Sequence, residues 1–180
     1  MIHREIQGTR VPALGFGTWQ LEGDACRDGV AHALALGYRH IDTAQGYDNE
    51  AYVGQALATS GVPRDELFLV TKLMPSNFRA DDAIRSGKES LAKLRTGYVD
   101  LLLLHWPNPD VPVEETLGAL RVLQDEGLVR HLGVSNFPPS LAARANAAQR
   151  IFANQVEYHP YLHQRALRAQ AEELDLLLTA

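Results

Sequence analysis

The sequence predicts an α/β protein of the (β/α)8 TIM-barrel type, incomplete, with about seven strands and six helices in a single domain over residues 1–180. Three observations lead to this fold class. Short, β-rich apolar runs alternate with longer segments of helical period. The strand runs are almost continuously apolar, which is typical of a parallel sheet covered by helices. Polar residues stand at the downstream ends of several separate strands, as a ring of converging strands requires.

Strands and helices follow one another in a regular order. The first three units are ALGFGT with DACRDGVAHALALG, YRHIDTA with NEAYVGQALATSG, and LFLVTKL with ADDAIRSGKESLAKLRTG. The next are YVDLLLLHW with PVEETLGALRVLQDEG, LVRHLGVSN with PPSLAARANAAQ, and IFANQVEYH with QRALRAQAEELD, before a last strand, LLLTA. Residues typical of helix starts are Asp24, Asp81 and Pro112, and glycines expected to end helices in the left-handed conformation are Gly37, Gly61, Gly97 and Gly127.

The first strand-to-helix turn distinguishes a barrel from a doubly wound sheet. A dinucleotide-binding doubly wound domain carries G-x-G-x-x-G in this turn, whereas the sequence here is GFGTWQLEGD. The barrel is therefore favoured. A complete barrel has eight units in about 250 residues, so we expect this chain to represent the N-terminal part of one, truncated inside its seventh strand. Open sheet edges would then favour self-association, whereas the full-length protein is expected to be a monomer.

Composition excludes several functional classes. The chain has 17 Lys and Arg against 22 Asp and Glu, a formal charge of −5, and no basic cluster of the kind that binds nucleic acid. No apolar run reaches the ~18 residues that span a bilayer, and no signal-peptide core is present, so we expect no membrane contact and a cytoplasmic location. Cys26 is the single cysteine; it cannot form an intrachain disulfide and is expected to be a packing residue.

Four polar residues end apolar strand runs: Asp42 after YRHI, Lys72 after LFLVT, His105 after DLLLL and Asn136 after HLGVS. Tyr47 lies just beyond the second of the seven runs. In repeated β/α folds the active site is built at these strand ends. The five residues therefore form a candidate catalytic group.

The motifs around these residues resemble those of a known family. The segments GFGTWQL, GYRHIDTAQGYDNEAYVGQAL, VTKL, SLAKLRTGYVDLLLLHWP, GLVRHLGVSNF and NQVEYHPYL are similar, in this order, to the signatures of the aldo-keto reductases. DTAQGYDNE most closely resembles the bacterial branch that includes 2,5-diketogluconate and methylglyoxal reductases. The resemblance implies a (β/α)8 barrel, reduction of a small carbonyl substrate, and NADPH bound without a Rossmann motif, with NADH possible.

The resemblance also implies a role for individual residues. Tyr47 would donate the proton, with Lys72 and Asp42 tuning its acidity and His105 orienting the substrate. The implied cofactor-binding residues are Thr18, Asp42, Ser135, Asn136 and Gln155, and the implied substrate-pocket residues are Trp19, Trp106 and His105. The basic segment that usually binds the adenosine 2′-phosphate in this family would lie beyond Ala180.

The residue types suit carbonyl reduction. An ordinary phenol, with a pKa near ~10, is a poor acid at neutral pH and needs about 3 to 4 kcal/mol in favour of phenolate to become a useful one. An ammonium ~4 Å away at an effective dielectric constant of ~20 contributes about 4 kcal/mol. A carboxylate beside that ammonium keeps it charged. A neutral imidazole can polarise the carbonyl without competing as the acid, and hydride must come from a nicotinamide.

Alternatives remain for the site and for the whole chain. Lys72 could form a Schiff base, as in aldolase barrels. The chain could also be a catalytically impaired relic or a binding module of the same fold. Individually, His105 and the two tryptophans could be core residues, and Ser135, Asn136 and Gln155 could be turn or cap residues. The pair His159 and His163 has metal-ligand spacing, but Pro160 disfavours a helix through it, and no metal site is predicted.

Overall fold

The chain begins with a β-hairpin that the alternation of strands and helices does not predict. In the computed structural model, which describes residues 1–180, strands β1 (His3–Ile6) and β2 (Thr9–Pro12) pair antiparallel. The turn residues Gln7 and Gly8 have φ values of 49° and 74°, as a two-residue hairpin turn requires. Four-residue strands carry little periodicity, so the sequence alone does not reveal them.

Seven further strands form one parallel sheet, and six helices cover it. The strands are β3 (Phe16–Gly17), β4 (His40–Asp42), β5 (Phe68–Leu73), β6 (Val99–Leu104), β7 (Val129–Ser135), β8 (Ala153–Gln155) and β9 (Leu177–Thr179). The helices are α1 (Gly23–Ala35), α2 (Glu50–Thr59), α3 (Ala80–Leu94), α4 (Val113–Asp125), α5 (Pro139–Ala148) and α6 (Arg165–Leu174). The predicted seven strands and six helices are confirmed.

The strand order identifies the architecture. Strands β3 to β9 are neighbours in the order of the chain, and every pair is parallel. A doubly wound sheet would reverse its order at a switch point, whereas a barrel continues in one direction. The incomplete barrel is therefore confirmed, with β3 and β9 as its two edges.

Alternation along the strands determines which side chains face the interior of the curved sheet. On β5, Leu69 and Leu73 belong to the large apolar cluster between the sheet and the helices. Phe68 and Val70 belong to a smaller cluster inside the curve. Lys72 lies two residues beyond Val70, so its side chain is on the same inner face, near the downstream end of β5.

One predicted helix end is wrong. Gly37, Gly61 and Gly127 have positive φ values, as expected for left-handed caps, but Gly97 does not. Helix α3 ends at Leu94, and Arg95, whose φ is 53°, is its left-handed cap. The helix thus stops two residues earlier than the glycine suggests, and an arginine adopts the conformation that glycine would favour.

The hairpin closes the upstream end of the sheet interior. Val11 of β2 is 1% exposed and packs in the inner apolar cluster. His40 Nδ1 lies 3.0 Å from the carbonyl oxygen of Pro12, and His131 Nε2 lies 3.1 Å from Thr9 Oγ1. Two inward-facing histidines therefore connect the sheet to the hairpin at the end opposite to Lys72.

The tip of the hairpin is bound to the last turn of the chain. The Gln7 side-chain amide donates to the carbonyl oxygens of Ile151 and Asp175, each at 2.9 Å, and the Gln7 backbone N–H donates to Asp175 Oδ2 at 3.0 Å. The first and last parts of the chain thus hold each other in place.

Substitution of Gly54 should reveal the close packing of α2 against α3. A Cβ atom at this position would lie 2.3 Å from the carbonyl oxygen of Lys93. We expect Gly54→Ala to lower the free energy of unfolding by about 1–3 kcal/mol, because the helices must move apart. The matched control is Gly118→Ala in α4, where a Cβ would meet no atom within 4 Å. This substitution should raise the free energy of unfolding by up to ~1 kcal/mol, because alanine has the higher helix propensity. Urea unfolding followed by circular dichroism measures both, and equal stability of the two variants would contradict the packing.

Acid should destabilise the fold through the burial of two histidines, His40 and His131. Burial lowers the pKa of His40 and of His131. Because an unfolded imidazole binds a proton near pH ~6.5, the unfolded state binds more protons below that pH, and the free energy of unfolding should fall as the pH decreases. Urea unfolding at pH 7.5 and 5.0 measures the difference. His131→Gln should reduce it, whereas His163→Gln, at an exposed position, should not; equal pH dependence in the two variants would refute the role of His131.

Candidate active site

Lys72 lies at the centre of the candidate site. Its side chain is 1% exposed, and Nζ donates to Asp42 Oδ1 at 2.5 Å, to the carbonyl oxygen of Thr43 at 3.0 Å and to Tyr47 Oη at 3.2 Å. A lysine ammonium has three donors and no acceptor. Every donor is therefore satisfied, as a group removed from water requires.

Tyr47 reaches Lys72 from a short turn after β4. It is the last residue of a 3-10 helix, Gln45–Tyr47, which Asp48 ends with a φ of 53°. The Tyr47 oxygen accepts a hydrogen bond from Lys72, and an ammonium cannot accept one in return. The phenol proton is consequently free to point away from Lys72.

Asp42 connects the lysine to the far side of the site. While Oδ1 pairs with Lys72, Oδ2 accepts a hydrogen bond of 2.8 Å from Gln155 Nε2. Asp42 ends β4 and Gln155 ends β8. Both carboxylate oxygens are thus used, and residues 113 positions apart meet at one end of the sheet.

His105 follows β6 on the same inner face. Its backbone N–H donates to the carbonyl oxygen of Leu73 at 3.1 Å, and its ring packs edge-on against Tyr47 with ring centres 5.6 Å apart. Burial, together with the smaller effect of the nearby Lys72 charge, lowers the pKa of His105 to about 4. The imidazole is therefore neutral near pH 7. Its Nδ1 is buried without a hydrogen-bond partner.

Ser135, Asn136 and Gln155 form a group of polar side chains at the ends of β7 and β8. Asn136 has a φ of 62°, and its N–H donates to the carbonyl oxygen of Gln155 at 2.8 Å. Asn136 Nδ2 donates to Ser135 Oγ at 3.1 Å and to the carbonyl oxygen of His105 at 3.0 Å. The structure thus brings these three predicted residues together beside His105.

A large cavity runs from these side chains along the open interior of the sheet to the hairpin and to α6. Its volume is about 1590 Å³, and the residues from the sequence predictions that line it are Trp19, Asp42, Tyr47, His105, Trp106, Ser135, Asn136 and Gln155. Trp19 is 67% exposed and Trp106 is 54% exposed, so neither is a core residue. Their position at the cavity is compatible with the predicted substrate contact, which stays a prediction.

Thr18 is placed differently from the other predicted residues. Its side chain is fully buried, with Oγ1 3.5 Å from Asn49 Oδ1. Its backbone N–H donates to the carbonyl oxygen of Asp42 at 2.9 Å. The structure does not bring the Thr18 hydroxyl to the cavity, because this group is turned towards Asn49, while the adjacent Gly17 and Trp19 do line it.

Two amide side chains that the sequence did not single out flank Tyr47. Asn49 donates to the carbonyl oxygens of Thr18 and Leu21 at 2.8 and 2.9 Å and accepts from Thr43 Oγ1 at 2.8 Å. Gln45, two residues before Tyr47, makes four side-chain hydrogen bonds. The only sequence signal is their even spacing around the tyrosine, which does not by itself indicate a role.

Other potential sites are less developed. No group of three or more histidine, cysteine, aspartate or glutamate side chains is arranged to hold a metal ion. His159 pairs with Glu157 at 3.0 Å instead. Cys26 is buried, and burial raises the pKa of its thiol to about 11. A search for helices with the length and hydropathy needed to cross a membrane finds none.

Comparison with known proteins gives close matches along the chain. Residues 13–180 match the aldo/keto reductase family. The methylglyoxal reductase DkgB of Escherichia coli O157:H7 is 50% identical over 175 residues, which cover 94% of this chain and 66% of that protein. Over 160 residues, DkgB of Salmonella typhi is 52% identical, covering 86% of this chain and 60% of that protein.

Solved structures give the same result. A crystal structure provisionally assigned as a 2,5-diketo-D-gluconic acid reductase B aligns with a TM-score of 0.96 at 48% identity, covering 100% of this chain and 65% of that one. The Bombyx mori aldo-keto reductase in complex with NADP aligns with a TM-score of 0.92 at 33% identity, covering 99% of this chain and 65% of that one. The chain thus spans just under two thirds of the length of these relatives. With both its sequence and its fold matched over nearly every residue, the chain belongs to the aldo/keto reductase family.

Proposed function

We propose that this chain carries the catalytic site of an NADPH-dependent reductase that converts aldehyde or ketone carbonyls to alcohols. One observation carries the proposal: Lys72 donates to Asp42 and to the Tyr47 oxygen at the same time, beneath a cavity that His105 also lines. This arrangement leaves the phenol proton of Tyr47 available to a molecule in the cavity.

The proposed reaction adds a hydride to the carbonyl carbon and a proton to its oxygen. NADPH, when bound, supplies the hydride and becomes NADP⁺. Tyr47 Oη gives its proton to the carbonyl oxygen, so that the C=O double bond becomes CH–OH. The Lys72 ammonium stabilises the phenolate that remains, and a proton from water restores the phenol.

His105 is suited to orient the carbonyl. Its imidazole is neutral near pH 7, so it carries one N–H. An unpaired N–H is more costly to bury than an unpaired lone pair, and the Nδ1 atom is the one that is buried without a partner. We therefore place the proton on Nε2, from which it can donate to the carbonyl oxygen without competing with Tyr47 as the acid.

The polar group at β7 and β8 fits a nicotinamide carboxamide. Ser135 Oγ accepts from Asn136 Nδ2, so its own proton is free to donate to the carboxamide oxygen. The side-chain oxygens of Asn136 and Gln155 make no hydrogen bond within the protein, and they can accept from the carboxamide NH2. One donor and two acceptors match the hydrogen-bonding needs of this group.

The finer assignments have different support. Aldo-keto reductases generally use NADP(H), and the Bombyx mori relative was solved with NADP; we propose NADPH here, with NADH possible. The names of the E. coli and S. typhi relatives support a small carbonyl compound as substrate. Cytoplasmic location, and a monomeric full-length form with self-association of a truncated one, stay predictions.

The alternatives can be separated from this proposal. A Schiff base requires a free amine lone pair, whereas Lys72 is engaged in three hydrogen bonds, one of which is its ion pair with Asp42. Failure of borohydride to trap an adduct with a carbonyl compound would exclude that reaction. A relic or binding module would give no carbonyl-dependent NADPH oxidation. Titration with NADPH, followed by its fluorescence, then shows whether the cofactor site is retained.

Replacement of the proposed acid should abolish most of the activity. We expect Tyr47→Phe to lower kcat for NADPH-dependent carbonyl reduction by about 10²-fold or more, the usual contribution of a positioned acid. The matched control is Tyr161→Phe at a 95% exposed position, which should retain the parent rate. NADPH oxidation at 340 nm measures both, and full activity of Tyr47→Phe would eliminate Tyr47 as the proton donor.

The pH profile should show no His105 titration near neutrality. Because the pKa of His105 is lowered to about 4, its imidazole stays neutral as the pH falls from 7.5 to 5.5, and kcat/KM should not decline through its protonation in this window. Profiles of the parent and of His105→Gln test this point. An acid limb with a midpoint between pH 6 and 7 that disappears in His105→Gln would show that the histidine titrates normally.

A further inference from the structure

The turn that carries Tyr47 has few backbone bonds of its own. Within it, the Tyr47 N–H donates to the carbonyl oxygen of Ala44 at 3.1 Å, and the Asp48 N–H donates to that of Gln45 at 3.3 Å. Lys72 belongs to a different strand. The distance between Tyr47 and Lys72 therefore depends on what holds the turn against β5.

Just before the turn, the Thr43 backbone N–H donates to the carbonyl oxygen of Val70 on β5 at 2.9 Å. Within the turn, Gln45 makes the connection to the segment that follows β5. Its Oε1 accepts from the backbone N–H of Met74 at 2.9 Å and from Asn77 Nδ2 at 3.1 Å. Met74 lies two residues beyond Lys72 on the same segment. The turn with Tyr47 is thus bound directly to the chain that continues from Lys72.

The same side chain reaches α3. Gln45 Nε2 donates to the carbonyl oxygen of Ser86 at 3.1 Å and to Ser90 Oγ at 3.0 Å. A glutamine amide has two donors and an oxygen with two acceptor positions. All four are used here, so the side chain has no other well-satisfied orientation.

A buried chain of hydrogen bonds returns from α3 to β5. Ser90 Oγ donates to Glu50 Oε2 at 3.3 Å, and Thr71 Oγ1 donates to Glu50 Oε1 at 2.6 Å. Ser90 and Glu50 are each 2% exposed, and Thr71 is 1% exposed. Thr71 precedes Lys72 on β5. Gln45 is therefore bound to both sides of Lys72 along the chain, on one side through Met74 and on the other through Ser90, Glu50 and Thr71.

We propose that Gln45 is a positioning residue that holds the Tyr47 hydroxyl within hydrogen-bonding distance of Lys72. The inference rests on the proposed role of Tyr47 as the proton donor. The Gln45 amide contacts neither the proposed catalytic side chains nor the carbonyl group of the substrate. It acts through the position of the turn. Its loss should reduce proton transfer and leave most of the cofactor-binding surface on β7 and β8 intact.

The test replaces the amide with an apolar side chain of similar length. Gln45→Met should lower kcat by about 10- to 100-fold, because a displacement of about 1 Å at the reacting groups has effects of this size. The KM for NADPH should change less than threefold. The matched control is Gln55→Met in α2, since the Gln55 side chain makes no hydrogen bond within the protein; its kcat should stay within twofold of the parent.

A double substitution separates positioning from a general loss of structure. If Gln45 acts through the Tyr47 hydroxyl, adding Gln45→Met to Tyr47→Phe should lower the residual kcat less than twofold. A further tenfold loss in the double variant would overturn the proposal. So would a Gln45→Met enzyme whose KM rises while kcat is unchanged.

A spectroscopic measurement makes the inference testable without activity. The chain has six tyrosines, and in protein labelled with 13C at tyrosine Cζ the Tyr47 signal is the one missing in Tyr47→Phe. This signal should shift or broaden in Gln45→Met and keep its position in Gln55→Met. If the Tyr47 signal does not move in Gln45→Met, the role of Gln45 is overturned, even in a chain without activity. If the signal moves but Tyr47→Phe keeps full activity, only the assignment of Tyr47 as the acid is rejected.

Ser90→Ala provides a second variant in case Gln45→Met does not fold. It removes one acceptor of Gln45 and one donor to Glu50. The bonds of Gln45 to Met74 and Asn77 remain. The Tyr47 signal should move in the same direction by a smaller amount, and kcat should fall about threefold to tenfold. No change in either quantity would contradict the connection through α3.

Discussion

The burial of one lysine controls the arrangement of the site. A charged amine in a nearly dry position is stable only if a carboxylate and further acceptors surround it. For Lys72 these are Asp42, the Thr43 carbonyl oxygen and Tyr47. Strands β4 and β5 pair in a register that opposes Asp42 with Val70, and this brings the carboxylate within reach of the lysine. The proposed proton donor, Tyr47, is thus one of the partners that the buried charge requires.

The parallel sheet supplies the rest of the site through a simple alternation. Apart from His40 and His131, side chains on the inner face are apolar towards the upstream ends of the strands, as Phe68, Val70 and Phe152 show. At the downstream ends they are polar, as at Lys72 and Gln155. Because all strands run in the same direction, their polar ends meet at one opening. The upstream end is covered by the hairpin, so one end of the interior provides packing and the other carries the proposed active site.

Sequence patterns predicted the features that repeat and missed those that depend on distant partners. Strand ends such as Asp42, Lys72 and His105 were recognisable because a polar residue interrupts an apolar run. The hairpin was not, since its role depends on His40 and His131, which lie far along the chain. Gln45 likewise looks like an ordinary loop residue until α3 is packed against it. Arg95 shows that even a local rule, glycine at a helix end, yields when neighbouring geometry decides otherwise.

The bond between the hairpin tip and the final turn has a consequence for the order of folding. Gln7 and Asp175 are 168 positions apart, so the bond between them can form only after Asp175 has left the ribosome. During that time the hairpin is held by its own pairing and by its contacts with His40 and His131, whereas its tip stays without its last partner. Contacts of such long range also slow the final assembly step, because their loop must close before they contribute any stability. The tip of the hairpin therefore reaches its final contacts late, although it precedes every helix of the barrel in the sequence.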